Sequence, residues 1–138
     1  MIDFDTEFGG RVRKRLEQEP VIWLTTIDAK NSPQPRPVWF HWDGETLLIF
    51  SQAEAAKIRH IQRNPRVALN LNSTPDGGDV VVLLGEASIV VGQVSLERLK
   101  DYLRKYREGI KDIGMTPESF QADYHVPILV KPKALRGF

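Results

Sequence analysis

Apolar residues recur every four positions near the start of the chain. Phe8, Val12 and Leu16 sit among Arg and Lys, which predicts an amphipathic helix over residues 5–18, ended by Pro20. From Val21 the spacing changes. Residues 21–27 form a β-rich run, residues 28–33 a cluster of turn formers, and residues 34–42 a second strand. Alternation along that strand sets Arg36, Val38 and Phe40 on one face and Pro37, Trp39 and His41 on the other. Asp43-Gly44 predicts a hairpin, because both residues tolerate the positive φ that a type I′ turn requires. Residues 45–51 make a third strand. Residues 53–64 read as a helix, with Ala55, Ala56, Ile58 and Ile61 apolar and Asn64-Pro65 as its stop.

The second half follows the same logic. Residues 67–72 alternate apolar and polar, as a half-exposed strand does, and residues 74–79 are a loop. Residues 80–84 are a continuous apolar strand, Gly85 marks a bulge or a close backbone approach, and residues 86–91 continue the strand. Ser95 caps a charged helix running to about Arg107, with Leu96, Leu99 and Leu103 as its apolar stripe. Thr116 and Pro117 open a short helix, residues 126–130 form a last strand, and residues 132–138 form a tail. Strands outnumber helices and several connections are of hairpin length. The expected fold is mainly β with α: a six-stranded antiparallel split barrel with flanking helices, one domain over residues 1–138.

Composition narrows the function. The chain has 138 residues, 41% hydrophobic and 27% charged, which fits one ordered domain. A net charge of +1 argues against a general nucleic-acid binder. The absence of cysteine removes disulfides, thiolate metal sites and cysteine nucleophiles. The acidic, amphipathic start has no apolar signal region, and no apolar run is long enough to cross a bilayer, so neither secretion nor membrane insertion is expected and the cytoplasm is the expected location.

Candidate chemistry concentrates between Arg36 and Arg63. Lys57 falls at a helix start, where unpaired backbone N–H groups favour anions, and Arg59 and Arg63 follow it. Such residues complete a phosphate site or are solvated charges on an exposed helix face. Arg36 shares a strand face with apolar side chains and needs a partner, either a ligand phosphate or carboxylate or an internal Glu. Trp23, Trp39 and Trp42 stack on a flat ring or fill the core. Thr25 and Thr26 offer hydroxyls to a ligand edge or are strand filler. His41, His60 and His125 lack ligand-like spacing, so no metal is expected. No Gly-x-Ser-x-Gly elbow or phosphate-cradling Gly loop is present.

The order of these parts resembles the pyridoxamine-phosphate-oxidase-like split β-barrel family, specifically the small branch that uses a deazaflavin (coenzyme F-420) or FMN. The resemblance rests on residues 21–26, 35–40, 51–57 and 61–69, on residues 81–90 with Gly85-Glu86-Ala87, and on Pro132 with Arg136-Gly137-Phe138. It implies an oxidoreductase that uses reduced F-420 for hydride transfer to a small organic substrate. FMN is the alternative cofactor, and a non-catalytic flavin carrier the alternative role. It implies a homodimer with cofactor at the interface. Arg36, Pro37, Val38 and Trp39 would line the ring, Ser51 would bond the ribityl or phosphate region, and Lys57, Arg59 and His60 would flank the phosphate. A polar amide is usual in deazaflavin-binding relatives where His60 stands. The oxidases proper are longer and carry further substrate-binding Arg and His, so vitamin B6 oxidation is not expected. The chemistry is mainly the cofactor's; no catalytic acid or base stands out, and proton supply falls to water or a Thr hydroxyl.

Overall fold

Thr6 caps the first helix with its side chain, which accepts from the Gly9 amide, and α1 runs Glu7–Gln18 with Val12 and Leu16 fully buried. The computed structural model describes residues 1–138 and contains seven strands and five helices. The strands are β1 (Ile22–Ile27), β2 (Pro33–Val38), β3 (His41–Trp42), β4 (Leu47–Ser51), β5 (Arg66–Asn70), β6 (Val81–Ile89) and β7 (Val126–Gly137). The remaining helices are α2 (Ala56–Arg63), α3 (Leu96–Lys105), α4 (Arg107–Asp112) and α5 (Pro117–Asp123). No helix is long and apolar enough to cross a membrane.

All seven strands join one sheet in the order β2-β1-β5-β6-β7-β4-β3, and every neighbouring pair is antiparallel. The expected strand over residues 34–42 is two strands at opposite edges of this sheet. Only Trp39 and Phe40 lie between them, so the two edges approach within about 11 Å there, three steps of ~3.8 Å each. The sheet must curl to allow this, and it forms a half-barrel. Alternate prolines at positions 33, 35 and 37 leave β2 short of N–H donors, which blunts it as an edge.

The other corrections have local causes. Residues 132–137 of the expected tail are strand, because β7 pairs β6 from Ile128 through Gly137. The register shifts opposite Gly85, where a Cβ would stand 2.5 Å from the Lys131 carbonyl oxygen, so Gly85 marks both a bulge and a close approach. The hairpin after β3 uses positive φ only at Gly44; the Asp43 carboxylate instead accepts from the amides of Glu45 and Thr46. The helix after Ser95 ends at Lys105, and α4 follows.

Two cores flank the sheet. Inside the curl, Ile22, Leu24, Leu47, Ile49, Leu69, Leu83, Ile128 and Val130 pack with α1 and with Ile58 and Ile61 of α2. Outside it, Leu48 and Phe50 meet Tyr102, Tyr106, Ile110 and Phe120 of α3–α5. Strand β4 is therefore buried on both faces, which explains its unbroken apolar run. The buried stripe of α3 is set by Tyr102, while Leu96 is 66% exposed.

Candidate functional site

The corner that joins the two sheet edges is held from outside. Tyr106 accepts a hydrogen bond from the Phe40 amide at 2.7 Å, and its hydroxyl faces the carbonyls of Phe40 and Pro20, each at 2.8 Å. Burial raises the Tyr106 phenol far above its usual pKa, so it stays protonated. The Lys105 ammonium donates to the same Phe40 carbonyl and lies 3.8 Å from the centre of the Phe40 ring. Trp39 then stacks on Tyr106, with ring centroids 4.6 Å apart and planes 3° apart. A cleft of about 350 Å³ opens beside this corner.

One end of the cleft is aromatic and apolar. Trp39, Phe50, Tyr102, Phe120 and Tyr124 line it, with Ile113. Val21, Pro37 and Val38 and also Ser51 and Gln52 share the lining. Ser51 is buried and its hydroxyl donates to the Gln52 carbonyl. The other end is cationic. Lys57 is the one charged residue of the lining. It stands on the first turn of α2, whose cap, Ala55, offers no side-chain acceptor to the free amides. The half-buried ammonium has no hydrogen bond or salt bridge in the chain. Burial, and then the neighbouring Arg36 guanidinium, lower its pKa. An unpaired cation at an uncapped helix start can receive an anion.

The alignment of the chain with a protein-family model covers residues 8–136, and that model is the one described as pyridoxamine 5'-phosphate oxidase. The chain belongs to this family. Among solved structures, a candidate pyridoxamine 5'-phosphate oxidase from Listeria innocua superposes with a TM-score of 0.67 at 26% identity, over 92% of this chain and 94% of the other. An F420 reductase matches with a TM-score of 0.66 at 28% identity, over 89% and 94%. HutZ, the haem storage protein of Vibrio cholerae, shares the fold with a TM-score of 0.67 at 14% identity, over 96% and 95%. No curated protein matches.

Within this family fold, the structure brings together five of the residues picked from the sequence: Pro37, Val38, Trp39, Ser51 and Lys57 all line the cleft. Arg36 is exposed and outside the lining, with its guanidinium on the Pro35 carbonyl and its charge lowering the pKa of Lys57. Arg59 is exposed outside the lining and reaches the Glu54 carbonyl at 3.5 Å. His60 turns away: its Nδ1 lies 2.8 Å from the Thr26 hydroxyl, tying α2 to β1. Thr26 is thereby engaged, and neither Thr25 nor Thr26 lines the cleft. Of the tryptophans, only Trp39 reaches it. Trp23 donates to the Asn72 side chain, and Trp42 packs against Phe4 in the interior.

Sequence reading missed the aromatic wall. Its signal was present: Leu99, Tyr102, Tyr106 and Ile110 follow at spacings of three, four and four. That stripe continues through the break between α3 and α4 and is the one the structure buries.

Proposed function

We propose that this chain is an oxidoreductase that holds coenzyme F-420 in the cleft between β2, β4 and α2 and presents it to a small organic substrate, with FMN as the alternative occupant. The observation that carries the reading is Lys57, a half-buried ammonium with no acidic partner at the uncapped start of α2. A phosphate supplies the missing charge, and the first amides of α2 supply donors to it. Arg36 is a second cation for the same group. Ser51 shares the lining and offers its hydroxyl to a ribityl-like linker. Pro37, Val38 and Trp39 bound the space for the flat ring. When bound and reduced, the deazaflavin supplies a hydride.

The preference for F-420 rests on charge beyond the phosphate. Arg59 and Arg63 follow Lys57 on α2, and Arg66 opens β5; none has a carboxylate partner in the chain. An acidic oligoglutamyl tail matches such a row, and FMN has none. The open cleft, small among ligand sites, leaves one side of a cofactor uncovered. A second copy of the chain supplies that wall in this reading, giving a homodimer.

Titration with oxidised F-420 and with FMN, followed by cofactor fluorescence, tests the reading. Tighter uptake of F-420 and oxidation of reduced F-420 by an organic acceptor are expected. Uptake of neither cofactor would sink it, and uptake without turnover against any acceptor would make the protein a carrier.

A further inference from the structure

Three polar groups of the cleft's aromatic lining, the hydroxyls of Tyr102 and Tyr124 and the indole nitrogen of Trp39, make no hydrogen bond in the chain, and of these residues only Tyr102 is buried. Tyr102 is 1% exposed, yet its hydroxyl makes no hydrogen bond within the protein, unlike that of Tyr106 one turn on. The only fully enclosed side-chain polar atom without a partner is the indole nitrogen of Trp42, so the Tyr102 oxygen touches free space, and Tyr102 lines the cleft. The ring itself is fixed. It stands edge-on to Phe50 at 4.8 Å and tilted against Tyr106 at 5.0 Å. A buried phenol with a locked ring and an unpaired hydroxyl is costly unless something accepts from it.

We propose that Tyr102 is a substrate-contacting residue whose hydroxyl donates a hydrogen bond to an uncharged acceptor oxygen, which makes the preferred substrate a flat, apolar molecule carrying a carbonyl, such as an aryl ketone. This rests on the reading that a cofactor's phosphate fills the Lys57 end and leaves the aromatic end to the substrate. Three observations select the class. Trp39, Phe120 and Tyr124 make the surrounding surface flat and apolar. No charged side chain reaches that end, so neither a carboxylate nor an ammonium is matched there. Burial and the nearby Tyr106 and Tyr124 push the Tyr102 phenol well above its usual pKa, so it remains a donor throughout the physiological range.

The test compares 1-indanone with indane, which has the same ring system without the oxygen, by ligand-observed NMR titration. The protein carries oxidised cofactor, so no turnover intervenes. Tyr102→Phe keeps the ring and removes a hydroxyl that bonds nothing in the chain, so the variant is expected to fold. The parent should bind the ketone about three- to tenfold more tightly than the hydrocarbon, the worth of one neutral hydrogen bond. Tyr102→Phe should bind indane as the parent does, lose the preference for the ketone, and keep its cofactor affinity. A preference that survives in Tyr102→Phe, or no preference in the parent, would overturn the assignment. Failure to take up either cofactor would count against the cofactor reading alone, because the same titration on cofactor-free protein still reads the Tyr102 contact.

Discussion

The Tyr106 hydroxyl accepts a hydrogen bond from the Phe40 amide at 2.7 Å, joining the outer helices to the corner where the half-barrel changes edges. Phe40 is fully buried, and its neighbour Trp39 lines the cleft. Tyr106→Phe would leave the Phe40 amide buried and unpaired, while Lys105 still serves the carbonyl. A loss of about 1–3 kcal/mol in unfolding free energy is expected, the cost of one stranded donor. Urea denaturation measures it. A change of less than about 0.5 kcal/mol, the range of ordinary surface substitutions, would show that the corner does not depend on this bond.

His41 gives the fold a pH response. Arg98 donates to its Nδ1 at 3.0 Å and also reaches the Asp43 carboxylate at 2.8 Å. Burial first, then the Arg98 charge and that of Lys105, lower the His41 pKa below 6.5, against the opposite pull of Asp101 and Asp43. The unfolded chain therefore binds the proton more readily. The stability from neutral His41 is complete above pH 6.5 and drains away as pH falls toward the lower folded value. Urea melts between pH 7.5 and 5.5 should show stability falling on acidification, and His41→Gln should flatten that slope. An equal slope in the variant would assign the effect to other groups.

Much of this was legible because each element has its own local cause. The period of Phe8, Val12 and Leu16, the Thr116-Pro117 start and the glycine at position 85 all speak through immediate neighbours. What escaped was set by distant partners. Nothing near Phe40 says that Val38 and His41 belong to opposite edges of a sheet; Tyr106, 66 residues away, stabilises that corner. Residues 132–138 resemble a tail because Pro132, Lys133, Arg136 and Gly137 break any apolar run, yet β6 pairs with them, past a shift in register, as far as Gly137. At the site, Lys57 was readable from helix-start logic, whereas His60 was drawn off by Thr26 from another strand. The Tyr102 wall needed the packing of three helices to become visible.

Lys57→Ala separates binding from folding. The ammonium has no partner in the chain, so its removal should change stability by less than about 0.5 kcal/mol. Loss of a charge-assisted bond to phosphate should cost about 1.5–3 kcal/mol of cofactor binding, roughly ten- to a hundredfold in affinity. Cofactor titration and thermal melts on the same preparation check both halves. Parental affinity for F-420 and FMN alike would remove Lys57 from the phosphate site.

The cleft is open to solvent on one side in the single chain. Sedimentation at micromolar concentration should show a two-fold dimer, and dilution into monomer should weaken cofactor uptake because half of each site is lost. A monomer that binds cofactor with undiminished affinity would show that one chain completes the site alone.

Ionic strength tests the preference for F-420. Lys57, Arg59 and Arg63 lie within seven residues of one another on α2 and Arg66 begins β5 just beyond. Arg59 and Arg63 are one turn apart and both exposed, bonded only to the carbonyls of Glu54 and Ile27. Solvent-facing cations attract an extended anion through a field that salt screens over about 10 Å at 0.1 M. The affinity for F-420 should therefore fall as salt rises, more steeply than that for FMN, whose charge ends at the phosphate. Arg59→Ala combined with Arg63→Ala should bring the two salt slopes together while leaving FMN affinity nearly unchanged. Tighter binding of FMN at both low and high salt, or an F-420 affinity indifferent to salt and to the double substitution, would reverse the preference.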